Sequence, residues 1–101
     1  MHPPMWSRAE AKKWIEKTCG TGWLPMVDEV YDRLPAHLNI TQAFQKWGTL
    51  QFDLDKEDVK FEAFLEEIEI KSGSICEKCG APGKEEIVDG WVYTRCANHL
   101  S

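Results

Sequence analysis

The chain has 101 residues, with 12 Lys and Arg against 17 Asp and Glu and a formal net charge of −5. A chain of this length holds one domain with a modest core, which argues against a large multi-substrate active site. No apolar run nears the roughly 20 residues of a membrane span. Met1-His2-Pro3-Pro4-Met5-Trp6 also lacks the apolar stretch of a signal peptide, so the expected location is cytoplasmic.

Ser7-Arg8-Ala9-Glu10 is a capping box, in which hydroxyl and carboxylate each take an orphaned N–H of the other residue. It starts a helix expected over 8–17, with Ala11, Trp14 and Ile15 inward and Gly20 and Gly22 ending it. Pro25 suits a first turn, and Leu24, Val27, Val30, Tyr31 and Leu34 keep helical spacing, so a second helix covers 24–34. Residues 40–44 and 50–54 read as an antiparallel strand pair with a turn at Gly48. A third helix is expected to open at Asp55 or Lys56. Phe61, Phe64, Leu65 and Ile68 form its inner stripe, and Ser72-Gly73-Ser74 ends it. Residues 85–88 and 91–95 are strand-like, and Asp89-Gly90 between them is a two-residue hairpin signal. The expected fold is α+β. Helices pack on a short antiparallel sheet in a body of residues 1–74, and residues 75–101 form a zinc-ribbon-like hairpin module.

Of the four cysteines, three fall into a pattern with a histidine. Cys76-Glu77-Lys78-Cys79 is C-x2-C, Cys96-Ala97-Asn98-His99 is C-x2-H, and 16 residues separate the pairs. A C-x2-C turn lets two thiolates converge on one ion, Gly80 relieves the backbone, and a hairpin returns the second pair to the first. The spacing predicts a structural, tetrahedral Zn2+ site of Cys76, Cys79, Cys96 and His99. A redox C-x2-C would open a helix, which Gly80-Ala81-Pro82-Gly83 disfavours. A catalytic role for His99 would need an open coordination position, and no third histidine or paired carboxylate stands nearby in sequence. Cys19 reads as a small buried residue at a helix end. His2 and His37 receive no role.

The acidic excess is concentrated: residues 53–70 hold eight acidic and two basic side chains. Asp58, Glu62, Glu66 and Glu69 form one flank of the third helix, with Val59 and Ile70 beside it. Like charges at i, i+4 do not stabilise a helix. A solvated face is the plain reading, and a surface for a basic protein is the functional one. Clustered Lys and Arg of the kind that binds phosphates are missing. Among five tryptophans, Trp14 and Trp23 have core placement, Trp91 is placed to cover the zinc hairpin, and Trp6 and Trp47 are the least anchored. Trp47 lies in a turn, where an interface anchor is one explanation.

The chain resembles a family of small phage, prophage and bacterial mobile-island proteins. The resemblance lies in Cys19-Gly20-Thr21-Gly22-Trp23, residues 46–52, residues 75–83, Gly90-Trp91 and residues 94–99. Thr21 departs from it, since relatives commonly carry an acid there. The resemblance implies a zinc-bound accessory protein without supplying a reaction. A looser likeness, in size and charge, is to toxin-neutralising immunity proteins. The expected function is therefore non-catalytic: a zinc-stabilised protein that binds a basic partner through Asp58, Val59, Glu62, Glu66, Glu69, Ile70 and Trp47. The alternative is a nucleic-acid-binding regulator using Lys78, Lys84 and Arg95 of the hairpin. A small metal-dependent hydrolase is a third.

Overall fold

Ser7 opens helix α1 (Arg8–Thr18) through the expected capping box, with the Ser7 hydroxyl accepting from Glu10 N–H and the Glu10 carboxylate from Ser7 N–H. The computed structural model describes residues 5–99, so the readings made of residues 1–4 and 100–101 lie outside it. Helix α2 (Leu24–Arg33) starts at Pro25 in its first turn. Arg8 and Lys12 of α1 pair with Asp28 and Asp32 of α2 at 2.6–3.2 Å, which ties the outer faces of the two helices.

Strands β1 (Ile40–Lys46) and β2 (Thr49–Leu54) form an antiparallel pair, each extending further toward the turn than the sequence indicated. The register shifts between Ile40 and Gln42, so a bulge at Thr41 lets Ile40 and Ala43 both face the core. Helix α3 (Val59–Ser72) opens three or four residues later than expected. Asp55 is diverted to Asn39, accepting from its backbone N–H and side-chain amide, and Asp58 caps the helix by accepting from Phe61 N–H. A second antiparallel pair, β3 (Lys84–Val88) and β4 (Trp91–Arg95), follows the expected hairpin, with Asp89 and Gly90 at positive φ in its turn.

The fold is α+β, with three helices and two small antiparallel sheets. Its core joins Ala11 and Ile15 of α1, Val27 and Val30 of α2, Leu50 and Phe52 of β2, and Phe61, Leu65 and Ile68 of α3, with Trp23 fully buried. Trp14 is not part of it. It is 43% exposed on α1, edge-on to Trp6 and under Lys17, because Ala11 and Ile15 already fill the inner face. Phe64 is half-buried beneath the Arg33 guanidinium. No described helix is long and apolar enough to cross a membrane.

Candidate metal centre

The segment after α3 is held on the body by backbone contacts before any ligand is considered. Gly22 N–H donates to Glu77 O at 2.9 Å, and the Trp23 indole N–H donates to Ile75 O at 2.8 Å. These bonds place the loop from Cys76 to Gly80 against the end of α1, where Cys19 is the buried C-cap. Within the loop, Gly80 N–H donates to Cys76 O, and Gly80 takes φ 83°, the conformation that a Cβ would oppose. The β3–β4 hairpin then leaves and returns. Its Lys84–Arg95 end leads into Cys96, and a 3-10 turn over Ala97–His99 brings the imidazole back.

The result is convergence of Cys76, Cys79, Cys96 and His99, whose ligand atoms all lie within 4.8 Å of one another. Cys96 Sγ is 3.1 Å from His99 Nδ1, Cys79 Sγ is 3.6 Å from Cys96 Sγ, and Cys76 Sγ is 3.8 Å from His99 Nδ1. Thiolates and an imidazole about 2.0–2.3 Å from one tetrahedral ion would stand roughly 3.5–3.8 Å apart. The cysteines are free thiols, so the short sulfur spacing is not a disulfide. The residues fit a metal ion, with Nδ1 as the histidine donor.

Local electrostatics agree. Burial pushes the Cys76 thiol up, but backbone N–H groups of Cys96, Cys79 and Lys78 outweigh it and hold the thiol below its ordinary pKa. At Cys79 the Ala81 N–H lowers the pKa, yet the Cys96 and Cys76 sulfurs, with burial, push it up overall. Sulfurs this crowded resist ionising together, and a divalent cation relieves that repulsion.

Behind the loop lies a pair that spacing alone did not reveal. Glu77 is 1% exposed, and its Oε1 is 3.7 Å from the Arg95 guanidinium, which stacks on the Tyr93 ring at 4.3 Å. Glu77 Oε2 and Arg95 Nε are buried with no partner among the described residues. Arg95 is thus held half-buried beside Glu77, whereas Lys78 and Lys84 are exposed.

The residues expected to bind a partner divide into two groups. Asp58 is engaged in the fold, bonded to Phe61 N–H and 3.0 Å from His37 Nε2. Glu62 accepts from Asp58 N–H but stays exposed, as does Glu66. Glu62, Glu66 and the half-buried Glu69 line a groove with Gln51, Phe52 and Leu65. Val59 and Ile70 are 83% and 69% exposed, on the side of α3 opposite Phe61 and Ile68. Trp47 is 70% exposed in the β1–β2 turn. Trp91 does not cover the metal ligands. Its register partner is Val88, so it sits at the far tip of the hairpin.

No protein-family model matches this chain, and no curated protein or solved structure matches it.

Proposed function

We propose that the protein is a non-catalytic, zinc-stabilised binding protein whose outer α3 face meets a basic protein. Three thiolates and one imidazole are a donor set for Zn2+, and four protein ligands complete its tetrahedron with no position left for water. On this reading the ion is structural, and it supplies no chemistry beyond holding a ribbon-like hairpin against the body. Zinc binding to small modules is worth about 10–16 kcal/mol, comparable to the about 5–15 kcal/mol stability of a whole domain. The family resemblance, an accessory protein of mobile elements, accords with a role in occluding a partner.

The observation that carries the binding role is the exposure of Val59 and Ile70 beside Glu62 and Glu66. Neither apolar side chain contributes to the core, and Glu66, unlike Glu62, which accepts from Asp58 N–H at the start of α3, gains the helix nothing from its like-charged neighbour. Apolar contacts give a partner affinity, and the carboxylates set its charge. The test compares tagged wild type with Glu62→Lys/Glu66→Lys in its own cells. A basic protein retained by the wild type in a salt-sensitive way, and lost by the variant, is the expected result. Equal retention by both would refute the acidic face.

A further inference from the structure

The three sulfurs of the cluster are not alike. Cys76 is fully buried and Cys96 is 7% exposed, whereas Cys79 is exposed to solvent. Their hydrogen bonding differs in the same direction. Backbone N–H groups of Cys96, Cys79 and Lys78 serve the Cys76 sulfur, while among the described residues the Ala81 N–H is the one backbone donor to Cys79. Hydrogen bonds to a metal-bound thiolate draw charge from the sulfur and dull it as a nucleophile. A cysteine on Zn2+ is deprotonated outright, the form in which it attacks oxidants. An ion with four protein ligands has no open position, so reactivity rests with the sulfur that meets solvent.

Cys79 also has a second sulfur within reach. Its Sγ is 3.6 Å from Cys96 Sγ, and a closure of about 1.5 Å brings the pair to the roughly 2.05 Å of a disulfide. The fourth thiol is set apart: Cys19 is 2% exposed and lies against the Thr18 hydroxyl at 3.5 Å.

We infer that Cys79 is an oxidation site for small hydroperoxides, that Cys96 is its resolving partner, and that their disulfide expels the metal. The inference rests on the structural zinc proposed above and is independent of the α3 face. The Cys79 thiolate attacks the terminal oxygen of the peroxide, an S–O bond forms and the O–O bond breaks. The Cys96 thiolate then attacks the Cys79 sulfur, and an S–S bond replaces the S–O bond. Two electrons pass from the sulfur pair to the O–O bond, and with hydrogen peroxide two solvent protons complete two waters. Only Cys76 and His99 remain as donors, too few to hold the ion. Cys96 stays tied to the Cys76–Gly80 loop, while the Ala97–His99 turn loses what fixes its imidazole. A thiol reductant reverses the disulfide and lets the site reload.

The experiment treats the full zinc-loaded chain with hydrogen peroxide and follows zinc release with a chromogenic chelator. Free thiols are then alkylated in denaturant and the chain is cut with trypsin. Cleavage after Lys78 and Arg95 puts Cys76, Cys79 and Cys96 on three separate peptides. The expected result is zinc release together with a Cys79–Cys96 disulfide, alkylated Cys19 and Cys76, and renewed zinc binding after a thiol reductant. Cys79→His keeps four donors but removes the exposed sulfur, so it should hold zinc and release it to peroxide at least about tenfold more slowly than wild type. Should that variant fail to hold zinc, the disulfide map of the wild type decides. Zinc retained with every thiol alkylated, a disulfide that includes Cys76, or loaded Cys79→His releasing zinc as fast as wild type would overturn the oxidation site and leave the structural zinc standing. A purified chain without zinc would overturn both.

Discussion

Gly22 and Cys76 meet backbone to backbone: a Cβ built on Gly22 would lie 2.0 Å from Cys76 O and 2.5 Å from Gly80 N. Neither atom belongs to a side chain that could swing away, so the first ligand loop is seated directly on the body. Gly22→Ala is expected to destabilise the protein by about 3 kcal/mol, the upper range for overpacking. It should also weaken metal retention, because the same contact positions Cys76. Urea unfolding and competition with a chelator measure the two effects. Wild-type behaviour in both would show that the loop docks elsewhere.

Removing the ion should free the hairpin. With a chelator at neutral pH, amides of 76–99 are expected to lose hydrogen-exchange protection, while α1–α3 keep most of theirs. The Trp23 environment should change as its bond to Ile75 O breaks. Cys96→Ser should behave as the chelated wild type does. Unchanged protection across 76–99 would mean that packing alone suffices and that the ion is not structural.

Buried Glu77 and partly buried Arg95 form a pair with imperfect satisfaction, which makes the two single substitutions costlier than the double one. Burial pushes the Glu77 carboxyl up, so on losing Arg95 it can take up a proton, and Arg95→Met is expected to cost less than the about 3–5 kcal/mol of a fully buried pair. Glu77→Gln/Arg95→Met removes both charges and should recover most of that loss. A double-mutant cycle in urea gives the coupling. Additive costs would show that the 3.7 Å approach carries no interaction.

Asp55 supplies an acid-sensitive contribution. Hydrogen bonds from the Asn39 side chain and backbone hold its carboxyl below the ordinary carboxylate value. A carboxylate whose pKa is depressed in the folded state stabilises fully above its unfolded pKa of about 3.9 and less as pH falls through the folded value. Asp55→Asn should therefore lower the melting temperature at pH 7, and the gap from wild type should close below about pH 4. The contrast is read between variants, which cancels any acid-driven loss of metal common to both. A gap that does not change with pH would indicate packing instead of charge.

The elements legible from the chain are those set by neighbours in sequence. The Ser7–Glu10 box, Pro25, the Phe61/Leu65/Ile68 stripe and Asp89-Gly90 each act within a turn or two, and each appears where expected. The four metal ligands were legible for a related reason: two short loops joined by a hairpin can only bring their ends together. Less legible was anything settled by competition at a distance. Asp55 looked like a helix start until Asn39 claimed it. Trp14 kept helical spacing yet found its place inside already filled by Ala11 and Ile15. Trp91 followed its strand register to the tip, away from the ligands it was expected to cover.

Local sequence thus determined the helices, the hairpin turns and the donor set, since backbone dihedrals and ligand spacing depend on a few adjacent residues. Tertiary structure alone decided that Glu77 meets Arg95, that Gly22 seats the Cys76 loop, and that Trp47 and Trp91 share one cleft. Those relations join residues dozens of positions apart, and only the packing of the hairpin on the body brings them within reach.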